Sequence, residues 1–107
     1  MPFTYEQDKI PYTVPIKNRN YVPDFKLDNG IYIEAKGKFD AATREKMLLV
    51  IKQNPDKDIR LLFMRDNKLT KVSPTKYTDW CKKHGIKCAV SEKGHVPLEW
   101  LREQKRH

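Results

Sequence analysis

The stretch Val22-Pro23-Asp24-Phe25-Lys26-Leu27-Asp28-Asn29-Gly30-Ile31-Tyr32-Ile33-Glu34-Ala35-Lys36 constrains this chain most. Two runs rich in β-branched and aromatic residues flank Asp-Asn-Gly, the pattern of a β-hairpin. Its register can be worked out in advance. A two-residue Asn-Gly turn pairs Asp28 with Ile31 and sets Phe25 opposite Glu34, which mixes faces. A three-residue Asp28-Asn29-Gly30 loop, with Gly30 in the left-handed position of a bulge, pairs Leu27 with Ile31 and Phe25 with Ile33. Register follows the hydrophobic pattern, so the three-residue loop is favoured. It places Asp24 opposite Glu34, and puts Lys36 on the same face about 7 Å further along the strand.

Two carboxylates side by side repel unless a cation lies between them. Hard oxygen ligands suit Mg²⁺ or Mn²⁺, which also bind phosphate. A lysine beside such a site can orient or deprotonate a water, or stabilise charge developing on phosphate. A bare Glu-x-Lys is equally the mark of a solvated strand face carrying an ion pair. The matching Pro-Asp one strand earlier brings the two readings level.

Pro23-Asp24 followed by Glu34-Ala35-Lys36 resembles the PD-(D/E)xK pattern of metal-dependent nucleases. The likeness extends to Ile10-Pro11-Tyr12-Thr13-Val14-Pro15, Tyr21-Val22-Pro23-Asp24-Phe25, Asp58-Ile59-Arg60, Ser73-Pro74-Thr75, Cys81-Lys82-Lys83-His84-Gly85-Ile86-Lys87 and Pro97-Leu98-Glu99-Trp100. Together these are similar to the endonuclease I family of T7-type phages, the Holliday-junction resolvases. The resemblance implies a restriction-endonuclease-like α/β fold, a mixed β-sheet flanked by helices, forming one nuclease domain over residues 1–107. It implies catalytic roles for Asp24, Glu34 and Lys36, with Mg²⁺ or Mn²⁺ held by Asp24, Glu34 and the Ala35 carbonyl. It also implies branched DNA as substrate and a homodimer, with residues 1–16 as an extended segment that bridges swapped halves. The family's remaining catalytic glutamate sits on an N-terminal helix, and this chain starts about where that helix ends. Glu6 and Asp8 are the nearby acids, and neither is assigned the role. The alternatives are a DNA-binding module with little catalysis and a nicking or homing-type endonuclease acting on duplex.

Charge points the same way. The 107 residues carry a net charge of +8. It is uneven: residues 65–107 hold eleven Lys and Arg against five Asp and Glu. Such a surface suits a phosphate backbone, bound electrostatically. Candidate phosphate contacts are Lys17 and Arg19 ahead of the hairpin, Lys38 just past it, and Lys76, Lys82 and Lys83; each also reads as an ordinary solvated side chain. Mean hydropathy is -0.81 and no apolar run approaches the ~18 residues a membrane span needs. The N-terminal residues lack the basic and apolar regions of a signal peptide, so the expected location is the cytoplasm, that of the host cell for a phage protein. Cys81 and Cys88 give only a C-x₂-H-x₃-C spacing with His84, too few ligands for zinc, and read as reduced thiols.

Further elements follow from capping and periodicity. A strand is expected within 3–8 and another over 10–14, with Pro11 and Pro15 placing the latter at an edge or in an extended connector. Residues 16–20 read as a polar loop. Asp40 is a good N-cap for a helix from Ala41 to about Gln53, with Met47, Leu48, Val50 and Ile51 inward and Asn54-Pro55 ending it. Residues 58–64 are nearly continuous and apolar, as in a central strand covered on both faces. Lys68 to Val72 reads as extended. Ser73 with Pro74 reads as the start of a helix that buries Tyr77, Trp80 and Cys81, seats His84 as a packed or capping residue, and closes at Gly85. A last strand over 86–91 and a helix from Pro97 to about Glu103, with Leu98 and Leu101 inward and Trp100 partly so, complete the chain.

Overall fold

The computed structural model describes residues 3–5, 8–14 and 17–104. The elements in chain order are β1 (Phe3–Tyr5), β2 (Ile10–Val14), β3 (Lys17–Tyr21), β4 (Phe25–Leu27), β5 (Tyr32–Lys36), α1 (Ala41–Gln53), β6 (Ile59–Phe63), α2 (Tyr77–Lys83), β7 (Cys88–Val90) and α3 (Leu98–Arg102). One sheet has the order β1-β4-β5-β6-β7, and β2 and β3 form a separate pair. The pairings β1–β4 and β4–β5 are antiparallel, whereas β5–β6 and β6–β7 are parallel. Strand β5 is therefore the seam between an antiparallel and a parallel half. The expected mixed sheet flanked by helices is the fold observed.

The β4–β5 hairpin takes the three-residue loop. Phe25 pairs with Ile33 and Lys26 with Tyr32. The Leu27 N–H donates to the Ile31 carbonyl at 2.8 Å and the Gly30 N–H to the Leu27 carbonyl at 2.9 Å. Gly30 has φ +91°, the left-handed backbone that the bulge requires. Asn29 inside the loop is buried and does more than turn. Its side-chain amide donates to the carbonyls of Trp100 (2.6 Å) and Glu103 (3.2 Å), satisfying the otherwise open C-terminal end of α3.

Alternation along β5 and β6 divides the core in two. Tyr32, Leu61 and Phe63 face α1, α2 and the β2–β3 pair, joining Phe39, Met47, Val50, Tyr77, Trp80 and Cys81. Ile31, Ile33 and Leu62 face the other way and pack with Leu27 and Trp100. Every residue of β6 is buried, as expected for the central strand. Helix α1 has the expected bounds, and the Asp40 carboxylate accepts from the Thr43 N–H at 2.9 Å. At its other end Asn54 donates to the Val50 and Pro11 carbonyls (2.8 and 2.9 Å), and Gln53 donates to the Thr13 carbonyl at 2.7 Å. These bonds dock β2 along α1.

Several expectations are corrected. Residues 17–20 belong to a strand, with Arg19 opposite Tyr12, because β2 folds back on β3 within the chain. First-strand pairing covers Phe3–Tyr5; Glu6 and Gln7, like Pro15 and Ile16, lie outside the described residues. Over 68–72 the only strand-type pairing is a single bridge from Lys68 to Lys76. Ser73 does not start α2: its hydroxyl accepts from the Thr75 N–H in a local turn, and Lys76 is the N-cap. The cap is supplied from afar instead. Asp66 accepts from the Thr78 N–H (3.0 Å) and hydroxyl (2.7 Å), and Asp79 accepts from the Lys76 N–H (3.1 Å). In α3 Trp100, 8% exposed, is the buried residue and Leu101 packs half-buried against the same cluster as expected, while Leu98 is 64% exposed. His84 does cap α2, its ring against Trp80, and Gly85 has φ +68°.

Candidate active site

The site forms just before the start of β4, where β4 no longer pairs with β5 and β5 continues beside β6. Asp24 lies just outside β4. Its N–H reaches the carbonyl of Ile33 (3.1 Å), a residue paired with Phe25, so the regular ladder stops there. The Asp24 side chain then takes the next position: its Oδ2 accepts from the Ala35 N–H at 2.9 Å. In a strand the N–H and C=O of one residue point to the same side, so the Ala35 carbonyl is directed to the side where Asp24 stands. Ladder irregularities of this kind re-aim side chains at functional sites.

Glu34 and Lys36 project from the opposite side of the pleat to Ile33 and Ala35. The Lys36 ammonium lies 3.3 Å from Glu34 Oε2. The solvated-face reading fails at Glu34, which is only 7% exposed. Its other oxygen, Oε1, accepts from the Tyr21 hydroxyl at 2.7 Å. Burial raises the Glu34 carboxyl above its ordinary range; Asp24 adds to the rise, while the Tyr21 and Lys36 hydrogen bonds oppose it. The Tyr21 phenol is held far above its usual range, first by burial and then by the charge of Glu34. The site therefore has more negative charge than its one lysine balances.

That imbalance is the condition for binding a cation. The donors are all hard oxygens (two carboxylates and a directed backbone carbonyl), and each carboxylate keeps an oxygen free of a backbone or tyrosine donor. They fit a small dication that retains several waters. Among the described residues no group of three or more acids, histidines or cysteines stands ready for a metal. Asp8 pairs instead with Lys26, 3.8 Å away.

The candidate phosphate-binding residues are spread more widely. Lys38 is exposed immediately beyond β5, and Arg19 is exposed on β3, the strand that ends at Tyr21. Lys76, Lys82 and Lys83 are exposed at the two ends of α2. The side chain of Lys17 lies outside the described residues. Cys81 and Cys88 are free thiols, Cys81 being fully buried.

Two residues near the site carried no chemical signal in their spacing. Tyr21 looks like a strand aromatic, and only its approach to Glu34 across two sheets makes it notable. Lys46 looks like a solvated helix residue, yet its ammonium lies 5.4 Å from the centre of the Tyr21 ring.

A mixed sheet of this order, with two acids and a lysine gathered at its antiparallel–parallel seam, is a restriction-endonuclease-like arrangement. The chain belongs to the phage endonuclease I family, which it matches over residues 1–107. It is 46% identical over 105 residues to Endonuclease I of Escherichia phage T7, covering 97% of this chain and 68% of that protein. It is likewise 46% identical to Endodeoxyribonuclease 1 of Enterobacteria phage T3, covering 97% of this chain and 67% of the relative. No described helix is long and apolar enough to cross a membrane.

Proposed function

We propose that the protein is a metal-dependent endonuclease that hydrolyses DNA phosphodiester bonds, selectively at branched junctions. The observation that carries this is the meeting of Asp24, Glu34 and Lys36 at one end of β5, in a chain of this family. Asp24, Glu34 and the Ala35 carbonyl would hold Mg²⁺ or Mn²⁺. Bound there, such an ion lowers the pKa of a water and offsets charge on phosphate. The remaining chemistry belongs to the chain. Lys36 Nζ, beside Glu34, orients the attacking water or stabilises the charge building on the phosphate oxygens. The ion pair with Glu34 keeps that ammonium aimed along the strand rather than into solvent.

Outside the site, Arg19, Lys38 and the lysines of α2 would follow the phosphate backbone, positioning the DNA without reading its sequence. Branched-DNA preference comes from the family resemblance, as does the homodimer, in which two such sites allow paired cuts across a junction. Action in the host cytoplasm fits a phage nuclease.

The test is cleavage of a labelled four-way junction and its matched linear duplex, with Mg²⁺, Mn²⁺ or EDTA, beside Asp24→Ala. Metal-dependent cutting of the junction alone, lost in the variant, is the expected result. Equal cutting of both substrates overturns junction selectivity. Tight junction binding without cutting overturns the enzyme reading in favour of a binding module.

A further inference from the structure

We infer that Tyr21 is a positioning residue, fixing the Glu34 carboxylate in the orientation that presents Oε2 to a divalent cation. This rests on the reading of Glu34 as a metal ligand and deepens it.

The geometry is specific. Tyr21 is the last residue of β3, three residues before Asp24, and is only 1% exposed. It belongs to the two-stranded sheet, whereas Glu34 belongs to the five-stranded one. Its hydroxyl bridges the two by donating to Glu34 Oε1 at 2.7 Å. The ring has little freedom to leave. Tyr21 pairs with Ile10 across β2–β3, and its face is covered by the Lys46 ammonium from α1. A carboxylate with Oε1 fixed by a buried phenol and Oε2 beside Lys36 has one orientation. Without the phenol, a short acidic side chain next to Asp24 is free to rotate away from the like charge.

The same segment carries both functions. A three-residue step separates the residue that orients one carboxylate from the residue that supplies the other, so the placement of β3 sets both. Hydrogen-bond partners behind metal ligands characteristically govern affinity: their loss costs about 10–100-fold in metal affinity or activity. Tyr21→Phe removes the hydroxyl and keeps the ring packed against Ile10 and Lys46, so the fold should survive it.

The experiment is Mn²⁺ binding to DNA-free protein, read from the electron paramagnetic resonance signal of free Mn²⁺ well below the melting temperature. Wild type, Tyr21→Phe, Glu34→Ala and the double variant are compared, each with a thermal melt to establish folding. The expected result is a loss of Mn²⁺ affinity of at least about tenfold in Tyr21→Phe. In the Glu34→Ala background, removing the hydroxyl should cause no further loss, since no carboxylate remains to orient. Wild-type affinity in folded Tyr21→Phe overturns the role of Tyr21 and leaves the metal site standing. So does an equal loss in both backgrounds. Absence of Mn²⁺ binding by the wild type overturns the metal reading, and the role of Tyr21 with it.

Discussion

Strands β5 and β6 lie side by side, and each carries a buried charge, but the two environments are opposite. On β6 the Arg60 guanidinium is fully buried and fully matched. It bonds both oxygens of Asp58 at 2.9 Å, bonds both oxygens of Glu103, and lies 5.2 Å from the Trp100 ring centre. Burial alone would lower its pKa, yet Glu103 and Asp58 outweigh this and hold the charge more firmly than usual. On β5 the Glu34 carboxylate is almost as buried, but beside a second carboxylate and a single ammonium. One cluster is closed, and it clamps α3 to the sheet through residues 43 positions apart. The other is left short of positive charge. A buried charge that satisfies itself holds structure; one left unbalanced is available for a ligand.

The largest separation between the two should appear in activity. Lys36→Ala should lower cleavage of a four-way junction by about 10²–10⁴-fold, the range for loss of a positioned proton-transfer group. Single-turnover rates at saturating protein would measure it. A rate within a few-fold of wild type would remove Lys36 from the chemistry. The converse holds on β6. Arg60→Met strips the shared cation from Asp58 and Glu103 and should cost about 3 kcal/mol in urea unfolding, at the low end for a broken buried pair because both acids retain some exposure. At a temperature where it is folded, its cleavage rate should match wild type. A catalytic defect without instability would mean the two clusters are not separable.

A finer comparison uses pH. Because burial raises the Glu34 pKa in the folded state, the fold holds that proton more tightly than the unfolded chain. The resulting stability is present below the unfolded pKa and is lost as pH rises through the folded one. Glu34→Gln should therefore melt above wild type in EDTA at neutral and alkaline pH, and the gap should close in acid. A variant melting below wild type at pH 8 would contradict this. The smallest effect belongs to the surface. Changing Lys82 or Lys83 to Gln should weaken junction binding modestly. Each change should also reduce the slope of log affinity against log salt by about 1, for one phosphate no longer neutralised. An unchanged slope would place that lysine away from the DNA.

Much of this was legible in the order of residues. Local rules reached the β4–β5 register, Gly30 at the bulge, the Asp40 cap and both ends of α1, because each depends on neighbours within a few positions. They failed where the partner is distant. Ser73-Pro74 has the form of a helix start, but α2 takes its cap from Asp66, twelve residues before Thr78. Leu98 and Trp100 are both apolar enough to be core, and only the surface offered by Leu27, Ile31, Ile33 and Leu62 decides that Trp100 enters it. Arg60 interrupts a run that is otherwise nearly continuous and apolar, and its partner Glu103 comes from the far end of the chain.

The candidate site divides along the same line. The sequence by itself determined that Asp24, Glu34 and Lys36 share one end of a hairpin, since strand alternation and loop length fix which side chains meet. Only the tertiary structure decided that Glu34 on this face is buried, that the Tyr21 hydroxyl reaches it, and that the Asp24 carboxylate replaces a backbone partner at Ala35. The physical reason is that periodicity states which way a side chain points, while exposure and electrostatics depend on what distant parts of the chain bring to that face.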